Sequence, residues 1–203
     1  MVATAKIPAG EYVPTADHRV VLAGVTWEHY EVELAMRGEK SVPRLAYLEG
    51  AMELMSPSRD HERITSYLGR LVEVFAELQD IELSPYRSWT LKNGRNAGGE
   101  PDECYIVGED QSKDRPDLVI EVIWTSGGLD KLEIYQRLGI DEVWFWIDGK
   151  LQVHALRGDG YERAARSRWL PGLDLELMCT FLDRRSVHLA KRDFREALRN
   201  DKK

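Results

Sequence analysis

The chain has 203 residues, 43% of them hydrophobic and 31% charged, with a net charge of −7. That length and balance suit one globular domain, and the acidic excess argues against a nonspecific nucleic-acid coat. No apolar run approaches the ~20 residues of a membrane span, and the N-terminus lacks the apolar segment of a signal peptide. Cys104 and Cys179 have no metal-ligand spacing, and two free thiols in a reducing cytoplasm are expected.

Residues 1–19 carry Pro8, Gly10 and Pro14 without periodicity, which reads as an N-terminal arm. Thr26 caps a helix from Trp27 to about Gly38. Ala46–Leu48 and Ala51–Met55 flank Glu49-Gly50 as a hairpin. After Ser56-Pro57-Ser58, the residues Ile64, Tyr67, Leu68, Leu71 and Phe75 form one apolar helical stripe. His61 lies on its first turn. Ile81–Leu91 reads as a strand interrupted by Pro85, and Asn93–Gly99 as a mobile or substrate-facing loop.

The segments 101–107 and 117–123 read as a hairpin over the polar loop Gly108–Arg115. The run Leu118-Val119-Ile120-Glu121-Val122-Ile123 is apolar except for Glu121. A charge there is costly unless it is paired or binds a metal. The hairpin's centre falls between Gln111 and Ser112, which sets Asp102 opposite Glu121. Cross-strand partners stand about 4.5–5.5 Å apart at Cβ, close enough to share one cation. A turn at Thr125–Gly128 then leads to a helix over Leu129–Leu138, closed by Gly139. Glu142–Ile147 reads as a buried strand, and Asp148-Gly149 as its turn into an edge hairpin with Leu151–Leu156. Tyr161–Ala165 adds an edge strand. From Asp183 to Lys203 the local net charge is +4, on a final helix at Ser186–Arg199.

Asp102 and Glu121 supply hard oxygens of the kind that suit Mg²⁺, with Mn²⁺ as a substitute. The carbonyl of Val122 offers a third oxygen. Lys131 is placed to neutralise charge on a phosphoryl group or to orient water. Taken singly, Asp102 also suits a loop cap, and Glu121 a buried pair with Lys131 or an arginine.

Pro101-Asp102, with Glu121 nineteen positions on and a helix after it, resembles the PD-(D/E)XK nuclease pattern. Tyr47-Leu48-Glu49-Gly50, Met55-Ser56-Pro57-Ser58, His61-Glu62, Glu100-Pro101-Asp102-Glu103-Cys104, Pro116–Val122 and Asp130–Tyr135 resemble more closely the bacterial Uma-type restriction endonuclease family. The resemblance spans about Thr26 to Leu182. It implies an α/β fold with a restriction endonuclease-like core, a central mixed sheet flanked by helices. It places that nuclease-like domain at 20–183, followed by a basic C-terminal helix at 184–203. It implies Mg²⁺-dependent cleavage of DNA, with Asp102 and Glu121 as metal ligands and a homodimer as the acting form. The general pattern has a lysine where this chain has Ile123; in the subgroup the lysine sits on the following helix, where Lys131 matches. Ala51 stands where relatives carry an acid. His61 and Glu49 are accessory candidates. The alternatives are an inactive nuclease-fold module that binds nucleic acid or protein, and a structural dimer.

Overall fold

A computed structural model describes residues 15–87, 89–125 and 127–200. The elements in order are β1 (His18–Ala23), α1 (Trp27–Arg37), β2 (Arg44–Leu48), β3 (Ala51–Ser56), α2 (Arg59–Gln79), β4 (Leu83–Tyr86), β5 (Leu91–Asn93), β6 (Ala97–Gly99), β7 (Glu103–Val107), β8 (Leu118–Ile123), α3 (Lys131–Arg137), β9 (Glu142–Ile147), β10 (Lys150–Arg157), β11 (Gly160–Ala164), α4 (Leu175–Cys179) and α5 (Val187–Asn200). Local chemistry sets the boundaries. Thr26 caps α1 by accepting the His29 N–H, and Ser58 caps α2 by accepting that of His61. Glu49 and Gly50 both have positive φ, 44° and 90°, as a two-residue turn between twisted strands requires.

The strands form two sheets, ordered β1-β3-β2-β6-β5 and β11-β10-β9-β8-β7-β4. In the second sheet only β8 and β9 run parallel, and α3 makes the crossover between them. This is the mixed sheet expected. Residues alternate across β8. Leu118, Ile120 and Val122 join the core of Leu68, Leu71, Val72 and Phe75 from α2. Val119 faces the other way, with Ile134 and Tyr135 of α3 and with Ala46 and Leu91 from the first sheet. By alternation Glu121 belongs to that second face, so its side chain is directed at α3. α5 adds Ala190, Phe194 and Leu198 to the α2 side. On the first sheet, Tyr30 of α1 packs on Leu45, Tyr47 and Met52.

Four expectations need correction. The arm at 1–19 overlaps β1, whose ladder with β3 starts at the pair His18↔Ser56; residues 1–14 of the arm lie outside the described residues. The strand expected at 81–91 is two strands in different sheets, β4 and β5, because the chain crosses from one sheet to the other after Tyr86. The loop expected at 93–99 contains the hairpin β5–β6, and Ala97, Gly98 and Gly99 are buried. Gly98 and Gly99, which lack a Cβ, let the strand pass under Tyr30 and Ile134. The pair Glu142–Leu156 is not an edge, since β9 lies between β8 and β10 and β11 covers β10. The exposed apolar edge is β1 instead, with Val20, Val21 and Leu22 at 56%, 47% and 42% exposure. Among the described residues no helix is long and apolar enough to cross a membrane.

Candidate active site

The β7–β8 ladder pairs Glu103 with Ile120, Cys104 with Val119 and Tyr105 with Leu118. One further step sets Asp102 opposite Glu121, the register read from the symmetric loop. Asp117 closes the far end: its Oδ2 accepts the Val107 N–H and the Lys113 ammonium, each at 2.7 Å. It belongs to the hairpin rather than to the site.

Asp102 and Glu121 are 3% and 2% exposed, and neither is left unpartnered. Asp102 Oδ2 accepts the Val122 backbone N–H at 2.7 Å and faces His61 Nε2 at 3.0 Å. Its Oδ1 pairs with Arg44 of β2. Glu121 Oε1 accepts the Tyr135 hydroxyl and lies 3.7 Å from Lys131 Nζ. Burial, then the charge of Glu121, holds the Tyr135 phenol well above its ordinary range, so it remains a donor. Lys131 opens α3 behind the cap Asp130, which accepts the Glu133 N–H. The structure therefore gathers Asp102, Glu121, Val122, Lys131 and His61. Glu49 it does not: this residue sits on the β2–β3 turn and pairs with Arg137 at 2.6 Å.

His61 is fully buried with a carboxylate on each ring nitrogen, Asp17 at 3.1 Å from Nδ1 and Asp102 at 3.0 Å from Nε2. Asp17 also accepts the Ser58 N–H at 2.8 Å and the Thr125 hydroxyl at 3.2 Å. Burial by itself raises the Asp17 carboxyl, but the bonds from His61 and Ser58 outweigh it and bring the value down to about 2.

Several residues around the site carry no motif that sequence reading could seize. Asp17 lies in a stretch without periodicity. Arg44 and Glu53 sit in an ordinary hairpin, although a glutamate inside Ala51–Met55 is the same kind of signal that singled out Glu121. Glu53 is 2% exposed; it accepts the Leu129 N–H at 2.9 Å and stands 3.5 Å from Arg19 Nε. Glu100 precedes the Pro-Asp pair and fastens it: it binds Arg37 through both oxygens, the Leu45 N–H at 2.9 Å and the Thr90 hydroxyl at 2.7 Å.

Asp102 and Glu121, on paired segments of the β7–β8 ladder, are oxygen donors of the kind that suit Mg²⁺, which is commonly held by one or two carboxylates with waters and phosphate oxygens. Among the described residues no group of three His, Cys, Asp or Glu side chains gathers to hold a metal. A cleft of ≈ 460 Å³ between β10, β11 and α4 is lined by Arg163 and Asp174 and includes none of these residues.

A family model described as Uma2, "Putative restriction endonuclease", matches residues 27–180. No curated protein matches the sequence. Among solved structures, one described as a putative nuclease belonging to DUF820, from Anabaena variabilis ATCC 29413, superposes with a TM-score of 0.51 at 14% identity, over 84% of this chain and 99% of that one. At that identity the likeness is one of fold.

Proposed function

From the premise that this chain belongs to the Uma2 family of "putative restriction endonucleases", we propose that it is a Mg²⁺-dependent endonuclease hydrolysing DNA phosphodiester bonds, with Mn²⁺ an effective substitute. The observation that carries this is the buried Asp102–Glu121 pair, with Lys131 3.7 Å from Glu121. Asp102 and Glu121 would hold the cation, with the Val122 carbonyl a further oxygen. The chemistry supplied by such a cation, when bound, would be a lowered pKa for an attacking water and stabilisation of charge on the phosphoryl oxygens. Lys131 places a second positive charge beside the scissile phosphate, where charge builds in the transition state. The Tyr135 hydroxyl holds one oxygen of Glu121; the Val122 N–H and His61 hold one of Asp102. Both carboxylates are thus oriented before substrate arrives.

A second reading has one observation in its favour. Each oxygen of Asp102 already meets a positively charged or N–H donor, as in a nuclease fold kept for binding nucleic acid or protein without turnover. Incubating the protein with supercoiled, linear and branched DNA in Mg²⁺ or Mn²⁺, beside Asp102→Ala, separates the two. Cation-dependent cutting absent from the variant supports the enzyme. Retention of DNA without cutting in either cation supports the binding module.

A homodimer is proposed as the acting form. Support comes from β1, an open edge strand with three exposed apolar residues; an unblocked edge is a ready surface for pairing. Light scattering at high concentration checks it, and a monomer there counts against it.

A further inference from the structure

Lys131 follows the connection from β8 to α3. Between β8 and α3 lie Gly127 and Gly128, with φ of 98° and 105°, a region open to glycine and rarely to other residues. Two paired side chains on one face of the first sheet grip this connection. Glu53 Oε2 accepts the Leu129 N–H at 2.9 Å. Arg19 donates to the Thr125 carbonyl at 3.3 Å and to that of Gly127, while its Nε stands 3.5 Å from Glu53. In the β1–β3 ladder Glu53 is opposite Val21, so Arg19, two residues away, shares its face. A Cβ on Gly128 would fall 2.1 Å from Glu53 Oε2, so the loop's close approach to this carboxylate requires glycine. One buried ion pair thus takes a backbone N–H and two carbonyls of the connection, ending two residues before Lys131.

We propose that Glu53 and Arg19 are positioning residues for Lys131: the pair clamps the β8–α3 connection and thereby sets the ammonium beside Glu121. This rests on the nuclease reading for its catalytic consequence, though the clamp itself stands apart from it. Neither residue touches the reacting atoms. Their effect is on the placement of a charge whose misplacement by about 1 Å typically costs about 10²-fold in rate.

The test uses the full chain with Glu53→Ala, Glu53→Gln and Arg19→Ala. Amide hydrogen exchange of residues 127–131 is read against that of β8 and α2, together with Mg²⁺ affinity and single-turnover cleavage. The clamp predicts exchange at Leu129 at least about tenfold faster in Glu53→Ala and Arg19→Ala. It predicts a smaller change in Glu53→Gln, whose carbonyl oxygen still accepts the N–H. Exchange in β8 and α2 should stay as in the parent. Cleavage should fall by about 10²-fold with Mg²⁺ affinity unchanged, a split that a general loss of stability would not give. Unaltered exchange at Leu129 in Glu53→Gln and Arg19→Ala overturns the clamp, even if Glu53→Ala fails to fold. Full cleavage by these variants, where Lys131→Ala has lost it, overturns the positioning role. If Lys131→Ala also cuts like the parent, the nuclease mechanism fails, and exchange still decides the clamp.

Discussion

Asp102 accepts the backbone N–H of Val122 at 2.7 Å. The acid at the start of one strand is fastened to the residue that follows the acid of the next. This bond holds the Asp102 carboxylate against the strand that carries Glu121. Arg44 supplies the counter-charge that lets Asp102 stay buried, and His61 Nε2 stands 3.0 Å from its other oxygen.

In the proposed metal site Arg44 and the cation would draw on the same carboxylate. Arg44→Ala is therefore expected to raise Mg²⁺ affinity several-fold while lowering thermal stability, because the buried charge of Asp102 loses a partner. Calorimetric titration of Mg²⁺ beside a melting curve measures both. A variant that binds Mg²⁺ more weakly than the parent would show that Arg44 supports the cation rather than competes with it.

Asp17 gives a pH signature. Its carboxyl lies at about 2 when folded, against an ordinary value of 3.8. A lowered folded value contributes stability that is fully present above the ordinary value and is lost as pH falls through the folded one. The difference in melting temperature between the parent and Asp17→Asn should be constant above about pH 4 and shrink between about pH 4 and 2. A difference that instead grows on acidification would refute the bonding assigned to Asp17.

Much of this was legible in the sequence because it depends on local rules. The stripe from Ile64 to Phe75 marked α2, and the Glu49-Gly50 turn marked a hairpin. The symmetry of the 102–121 segment about its loop yielded the register that brings Asp102 to Glu121. What was not legible depends on contacts distant in sequence. Nothing in Leu91–Gly99 says that it forms a hairpin in the other sheet, because its strands are three residues each. They persist by packing under Tyr30 and Ile134. Asp17, Arg19 and Arg44 reach the site from strands or segments whose neighbours are chosen by tertiary pairing. Glu53, a lone acid in the apolar stretch Ala51–Met55, carries the same sequence signal as Glu121.

Gly98 tests the fold beneath the site. A Cβ there would lie 2.7 Å from the Tyr30 hydroxyl oxygen and 2.8 Å from its ring, and Tyr30 is fully buried. Gly98→Ala should destabilise by about 1–3 kcal/mol, as overpacking of a filled core does. Urea unfolding checks this; an unchanged midpoint would mean that the ring has room to move.

Lys131 and the carboxylates should fail differently. Lys131→Ala is expected to fold and bind Mg²⁺ like the parent but to cleave about 10²–10³-fold more slowly, the usual cost of removing one preorganised positive or donor group. Single-turnover kinetics read the rate free of product release. Cleavage at the parent rate would return the role to another cation, with Arg44 the first to examine.

In the proposed nuclease Asp102 and Glu121 act together on one cation, and calorimetric titration of Mg²⁺ into the parent, Asp102→Asn and Glu121→Gln tests this most directly. Both substitutions keep side-chain shape while removing charge. Saturable uptake is expected from the parent and its loss in each variant, with melting temperatures that show all three folded. Uptake by either folded variant equal to that of the parent would contradict it.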